Sequence, residues 1–434
     1  MKNKSSKCAF TIVAKNYIGL AKVLESSIKE HDSDIDFYIF VADEIPAYLM
    51  PNLSENVIES KQVLSYSSEE WINMAFKYNL TEFCTAIKPS CFQYIFENKG
   101  YNKAVYFDPD IYVYSTLKPV YDIIEDVSIL VTPHLLFPQL TDNSDIPFLQ
   151  SGPYNLGFLG LKNTEVSRSL LIWWRRKLID NCFDDVLDFT FTDQKWMLMI
   201  HSYFPQNEIY VCRDIGWNVA PWNFKERRFV KKDSGFEVEY RNDSSISDKL
   251  VFIHYSGYDY KALLSGEEIR PRVMEEDVNF EDVKMMMNIY SNALKKDEAI
   301  MRKFLDLSYT YATYDNGHVI ERFHRRLYRK VYEIDASRFV NPFMSGVGSF
   351  FSVIEEKGLM RKSSASDTIS DNRSNKVLRF FNRMMFVVYK LFGYHRYLML
   401  MRLLKHFSRY ESQVFLLDDK YIDNNVAIPK KKTI

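Results

Sequence analysis

Two aspartates, Asp108 and Asp110, stand either side of Pro109, directly after the apolar run Ala104–Phe107. Strand alternation points residues two apart to the same side. Two carboxylates aimed at one point suit a hard divalent cation with oxygen ligands. Pro109 fixes the local backbone, which lowers the entropy lost when a cation orders the turn. A cation held in this way neutralises a diphosphate, as transfer of a sugar from a nucleotide requires. By itself an Asp-x-Asp triplet also fits a plain acidic turn. Its setting is what raises it: apolar residues come before it, the β-formers Ile111, Tyr112, Val113 and Tyr114 come after it, and further polar motifs lie downstream.

The elements that would position these residues follow from hydrophobic patterning. Phe10–Ala14, Phe37–Ala42, Ala104–Phe107 and Ser128–Pro133 read as short buried strands. Ile18–Glu30, Ser68–Tyr78 and Ala86–Asn98 read as helices between them, the last ending at Lys99-Gly100, a plausible C-cap. This alternation predicts an α/β domain with a mainly parallel sheet. Ligands of such sheets bind beyond the carboxyl ends of the strands. Asn16, Asp43 and Asp108 each follow a predicted strand, so all three are expected to line one cleft. Further on come a glycine-bearing strand from Tyr154, a helix over Ser167–Asn181, and a helix start at Thr192-Asp193 where either residue would serve as N-cap. A Trp- and Asn-rich stretch covers 213–223, and a last strand spans Leu250–His254.

Composition bounds the reading. The 434 residues are 47% hydrophobic and 15% aromatic, enough for a substantial core. A net charge of −1 argues against a basic nucleic-acid binder, so nucleic acid is not an expected partner. Five scattered cysteines without a CxxC pair point to reduced thiols in a cytoplasmic setting rather than a zinc site or a disulfide frame. The apolar run after the polar, basic start is too short for a signal peptide or a membrane span.

Taken in order, Phe107-Asp108-Pro109-Asp110, Asn155-Leu156-Gly157, Asp193-Gln194 and His254-Tyr255-Ser256-Gly257 resemble the GT-A fold glycosyltransferases, closest to the retaining family 8 type. The resemblance covers roughly residues 8 to 262. It implies a Rossmann-like, mainly parallel catalytic domain with a helical C-terminal extension. It also implies a Mn²⁺ or Mg²⁺ cofactor and a nucleoside-diphosphate sugar, UDP-sugar in the first instance, as donor. Carried over position by position, Asp108, Asp110 and His254 would hold the metal, and an imidazole ligand favours Mn²⁺. Gly257 would let backbone approach the phosphates. Lys88 would contact donor phosphate or sugar, although a solvated helix lysine is the bland alternative. Asn155 and Asp193 would bind hydroxyls, with Gln194 near the anomeric carbon. For Asp193 the alternative is capping alone. Asn16 and Asp43, at the ends of the first two predicted strands, are candidates for the nucleobase and ribose, with plain turn residues as the alternative. The sequence departs from the family at Tyr258–Ala262, where Lys-Pro-Trp is usual and Lys261 is displaced. The cluster Trp217, Asn218, Trp222 and Asn223 reads either as an acceptor-sugar platform or as core.

The expected organisation is a catalytic domain over 1–262, a helical extension over 263–360, a flexible linker over 361–376 and a basic amphipathic tail over 377–434. Residues 377–410 contain no Asp or Glu. Arg379, Arg383 and Lys390 share a helix side opposite Leu378, Phe381, Met385, Val388 and Leu391, and Gly393 breaks the pattern. Such a helix either lies on an anionic membrane surface, on its cytoplasmic face, or packs on the catalytic domain. The implied activity is sugar transfer to a glycan or lipid-linked glycan in surface polysaccharide synthesis. Two other readings are a nucleotidyltransferase and a non-catalytic carbohydrate-binding protein. The first usually carries a Gly- and Lys/Arg-rich loop after its first strand, which Ala14–Tyr17 lacks.

Overall fold

The computed structural model describes residues 7–140, 144–233, 235–265, 281–296, 298–360 and 371–422, the backbone alone over 371–376. The chain divides into two compact units. One comprises Met1–Met74 with Leu80–Thr310, the other Ala75–Asn79 with Tyr311–Ile434.

The first unit is built on a seven-stranded sheet. Its strands are β1 (Lys7–Val13), β2 (Asp36–Val41), β3 (Val57–Glu59), β4 (Lys103–Phe107), β6 (Ile129–Pro133), β7 (Tyr154–Lys162) and β8 (Ile209–Val211), with the short β5 (Ile111–Val113) set apart from it. The spatial order is β8-β6-β7-β4-β1-β2-β3. Neighbours run parallel except at β7, which is antiparallel to both β4 and β6. The apolar runs of β1, β4 and β6 are buried almost throughout, as strands covered on both faces must be. Helices α1 (Ile18–His31), α2 (Lys88–Glu97), α3 (Lys118–Asp126) and α4 (Glu165–Asn181) accompany them. The α/β class and the mainly parallel sheet are as expected. Antiparallel β7 is the exception, and it brings its own first residues, Tyr154 and Asn155, to the edge where β4 and β6 end.

Two features depart from the sequence reading. The predicted helix 86–98 is interrupted, with one helix ending at Ala86 and α2 starting at Lys88, where Pro89 occupies the first turn that tolerates it. A three-stranded antiparallel sheet, β9 (Arg227–Lys232), β10 (Gly235–Tyr240) and β11 (Asp243–Lys249), was not anticipated. β11 is exposed along its whole length and has no apolar face to betray it. The next strand, β12 (Phe252–His254), pairs antiparallel with β5 rather than joining the main sheet. Helix α5 (Glu281–Lys296) also belongs to this unit.

The second unit has its own core around Phe76, Leu327, Tyr328, Phe350, Phe351 and Val414, built on α6 (Arg322–Ile334). The buried Arg325 guanidinium donates to the carbonyls of Phe76, Tyr78 and Tyr311. The helical C-terminal region includes α7 (Asp371–Phe407), which kinks at Gly393, where φ is 73°, and is followed by the 3₁₀ turns Tyr410–Leu416 and Asp419–Tyr421. Of the predicted linker, 361–370 lie outside the described residues, as do the last residues of the tail, 423–434. Among the described residues no helix is long and apolar enough to cross a membrane.

Candidate active site

β4 ends at Phe107, and the chain turns at once. The Asp108 N–H donates to the Gly157 carbonyl of β7 at 2.7 Å, and the Ile111 N–H returns to the Asp108 carbonyl at 3.1 Å. β5 then pairs with β12 so that Ile111 faces His254, while the Tyr255 N–H reaches the Asp110 carbonyl at 2.8 Å. Two residues 144 or more positions upstream of the histidine are thereby brought against it. His254 Nε2 lies 3.1 Å from Asp110 Oδ1 and 3.6 Å from Asp108 Oδ2. One ligand atom from each of the three residues falls within 4.8 Å of the others. The donor set is one imidazole and two carboxylates, the imidazole is buried, and its Nε2 is aimed between the oxygens. This arrangement fits a divalent metal ion.

The charges explain why the cluster wants a cation. Burial pushes the Asp108 carboxyl above the usual range, and Asp110 adds to this. Burial acts on Asp110 in the same sense, but the His254 imidazole, with help from backbone and Tyr260 hydrogen bonding, holds Asp110 low. His254 is raised: burial alone would depress it, and Asp110 with Asp108 more than compensates. In the absence of a metal, then, the carboxylates keep a proton where the metal would sit. The Tyr106 hydroxyl also donates to Asp108.

Lys88 is not a solvated helix lysine. It is 1% exposed. Its Nζ lies 2.6 Å from Asp193 Oδ2, donates to the Leu156 carbonyl at 2.8 Å and sits 4.1 Å over the Tyr106 ring. Asp193 occupies the N-cap position of a short 3₁₀ turn, Gln194–Met199, without capping it. Its carboxylate goes to Lys88 instead. Gln194 is held at both ends of its amide. Oε1 accepts the Leu156 N–H at 3.2 Å, and Nε2 donates to the Ser151 carbonyl at 2.9 Å. Asn155 lies between these groups and the histidine, with Oδ1 3.2 Å from His254 Nδ1.

At the other strand ends, Asn16 and Gly257 line a cavity of about 390 Å³ with Tyr17, Tyr258, Tyr260 and Lys261. Gly257 has φ 80°, which suits glycine. Asn16 Oδ1 is buried without a hydrogen-bond partner among the described residues. Tyr260, whose hydroxyl donates to the Tyr255 carbonyl at 3.2 Å, also lies near enough to Asp110 to help hold its carboxyl low. Asp43 is committed elsewhere. Its oxygens take the Lys15 N–H at 2.8 Å, the Lys15 ammonium at 3.0 Å and the Thr310 N–H at 2.9 Å. Asp43 would reach a ribose only by giving up some of these bonds. Lys261 pairs on the surface with Asp306. In the Trp-rich stretch, Trp217 packs on Phe158 and Phe252, and Asn218 and Asn223 are fully buried. Trp222 borders the site, edge-on to His254 at 5.2 Å and to His134 at 5.5 Å, and Asn218 Nδ2 donates to Asn155 Oδ1 at 3.1 Å.

Sequence reasoning missed Tyr106, Tyr260 and His134. The first sits two residues before Asp108, so its same-side direction was available from strand alternation. His134 follows β6, and burial pushes its imidazole down to about 4, which keeps it neutral beside the site. Nothing local marks Tyr260.

No family model matches the chain. It is similar to two uncharacterized proteins of Bacillus subtilis (strain 168). It is 26% identical to YfnF over 254 residues, 57% of this chain and 80% of that protein. To YfnD it is 23% identical over 253 residues, 57% of this chain and 76% of that protein. Among solved structures it is similar to the galactosyltransferase LgtC in complex with donor and acceptor sugar analogues. That match is 15% identical, covers 67% of this chain and 95% of that one, and has a TM-score of 0.40. It is also similar to the glycosyltransferase GlyE of Streptococcus pneumoniae TIGR4, 14% identical over 71% of this chain and 66% of that one, with a TM-score of 0.32.

Proposed function

We propose that this chain is a metal-dependent GT-A glycosyltransferase. It would move a sugar from a nucleoside-diphosphate donor, UDP-sugar in the first instance, to a glycan or lipid-linked glycan in surface polysaccharide synthesis. The observation that carries this reading is the convergence of Asp108, Asp110 and His254 at the carboxyl edge of a parallel sheet.

Asp108, Asp110 and His254 would hold Mn²⁺, or Mg²⁺. When bound, the ion supplies positive charge against the diphosphate leaving group. The remaining work falls to the chain. Gly257 lets backbone approach the phosphates beside the tyrosine-lined cavity, and Asn16 offers an unsatisfied acceptor to a nucleobase N–H. Asp43, braced by Lys15, is the ribose candidate. Lys88 and Asp193, ion-paired with each other, and Asn155 are the candidates for the donor hydroxyls. Gln194, pinned at both ends of its amide, is poorly suited to act as a nucleophile, and Asp193 is neutralised by Lys88. This supports retention by front-face attack, with the departing phosphate taking the acceptor's proton, over a covalent glycosyl-enzyme.

The second unit supports a membrane role. Phe380, Phe386, Leu391, Phe392 and Tyr394 on α7 are each more than half exposed. With no acidic residue over 377–410, this surface matches an anionic cytoplasmic leaflet, where a lipid-linked acceptor would be met. The test is UDP-sugar hydrolysis with Mn²⁺ in the absence of acceptor. The wild type should release UDP and Asp110→Ala should not. Equal release by both would sink the proposal.

A further inference from the structure

We infer that Asn155 is a positioning residue for the proposed metal centre. Its side-chain oxygen fixes His254 in the Nδ1–H tautomer, so that Nε2 is the atom left bare toward Asp108 and Asp110. This rests on the metal-site reading above and gives Asn155 a task distinct from binding sugar hydroxyls.

The geometry leaves little freedom. Asn155 Oδ1 sits 3.1 Å from the Gly157 backbone nitrogen, 3.1 Å from Asn218 Nδ2 and 3.2 Å from His254 Nδ1. A backbone N–H is always a donor. Turning the Asn155 amide over would set an NH₂ against it, so the oxygen must face Gly157. The same Asn218 Nδ2 also donates to the Thr132 hydroxyl at 2.8 Å. Oδ1 is therefore an acceptor on all three sides, and His254 Nδ1 must carry a proton. A neutral imidazole has only one N–H. Nε2, 3.1 Å from Asp110 and 3.6 Å from Asp108, is then a bare lone pair facing two carboxylates. That array is repulsive unless a cation or a proton lies at its centre. Metal-bound histidines characteristically donate their second N–H to an oxygen, which sets the tautomer and ring orientation.

Gly157 is the hinge of the arrangement. A Cβ there would lie 2.5 Å from His254 Cε1, 2.7 Å from Nδ1 and 2.8 Å from Asn155 Oδ1. Its N–H holds the amide oxygen while its carbonyl holds the Asp108 N–H. One peptide segment of β7 thus registers the histidine and the first aspartate together.

The experiment is ¹⁵N NMR of the full chain labelled at histidine and loaded with diamagnetic Cd²⁺, with His254→Gln to assign the signal. Wild type should show Nδ1 protonated and Nε2 bound to the metal. Asn155→Leu should lose that preference, and Mn²⁺ affinity read by electron paramagnetic resonance should fall about 10- to 100-fold. Asn155→Asp, which keeps an acceptor at the same place, should restore both. A metal-loaded wild type with His254 protonated at Nε2, or bound through Nδ1, would overturn the inference. So would an Asn155→Leu protein that keeps the Nδ1–H tautomer with undiminished metal affinity. Should Asn155→Leu fail to fold, the wild-type tautomer and the Asn155→Asp affinity decide the matter. Absence of metal binding in wild type would refute the metal site itself, whereas a metal held with His254 protonated at Nε2 would refute only the role given to Asn155.

Discussion

Replacing Lys88 by Met removes the positive partner of a buried carboxylate. Lys88 and Asp193 are 1% and 2% exposed, so water screens neither. Their contact is 2.6 Å. Breaking a buried pair on one side costs about 3–5 kcal/mol, because the other charge is left uncompensated. The Leu156 carbonyl also loses its 2.8 Å donor. Methionine fills most of the volume, so a cavity adds little. At about 2–4 °C per kcal/mol for a unit of this size, melting should fall by roughly 6–20 °C. Asp193→Leu alone should cost a similar amount by stranding the ammonium. The double variant should be less damaged than the sum of the two, by up to about 3 kcal/mol, since contacting residues couple. The assay is thermal unfolding of all four proteins in one buffer. A Lys88→Met protein that melts within about 1 °C of wild type, or strict additivity in the cycle, would mean that the pair is not formed and that Lys88 faces solvent.

Three further outcomes are expected. Gly157→Ala should push the His254 ring out of place, since the new Cβ would stand 2.5 Å from it; metal titration should show weakened binding in a protein that still folds, and unchanged affinity would contradict the packing. Mn²⁺ must displace the proton that Asp110 and Asp108 hold on His254, so affinity should decline as pH falls, starting above the ordinary imidazole value of about 6.5 because the His254 pKa is raised. Conversely, the stability that protonated His254 contributes to the metal-free protein is full below that ordinary value and is lost as pH rises through the raised one. Changing Arg379, Arg383 and Lys390 together to Gln should weaken binding to anionic vesicles by about 3 kcal/mol, roughly a hundred-fold, at about 1 kcal/mol per charge near the surface; sedimentation that is indifferent to these changes or to lipid charge would remove the membrane role.

What could be read from residues alone divides along physical lines. The strands before Asn16, Asp43 and Asp108 were legible because strands buried on both faces must be continuously apolar, and β1, β2 and β4 are. Gly393 announced the kink in α7 because an acid-free amphipathic pattern restarts after it. Pro89 marked the start of α2, yet burial of Lys88 was invisible, since its partner lies 105 positions away on another element. The engagement of Asp43 depends on Thr310, and the fit of His254 on Asn155 and Gly157, and no local pattern encodes such pairings. β11 escaped notice because a fully exposed strand carries no alternation.

The central claim is that two aspartates and one histidine grip a single divalent ion. The most direct measurement is Mn²⁺ titration of the full chain by electron paramagnetic resonance, alongside Asp108→Ala, Asp110→Ala and His254→Ala. The account predicts one saturable site in wild type, tightened by UDP and lost or strongly weakened in each variant. A wild type that leaves Mn²⁺ free, or three variants that bind it as wild type does, would contradict it.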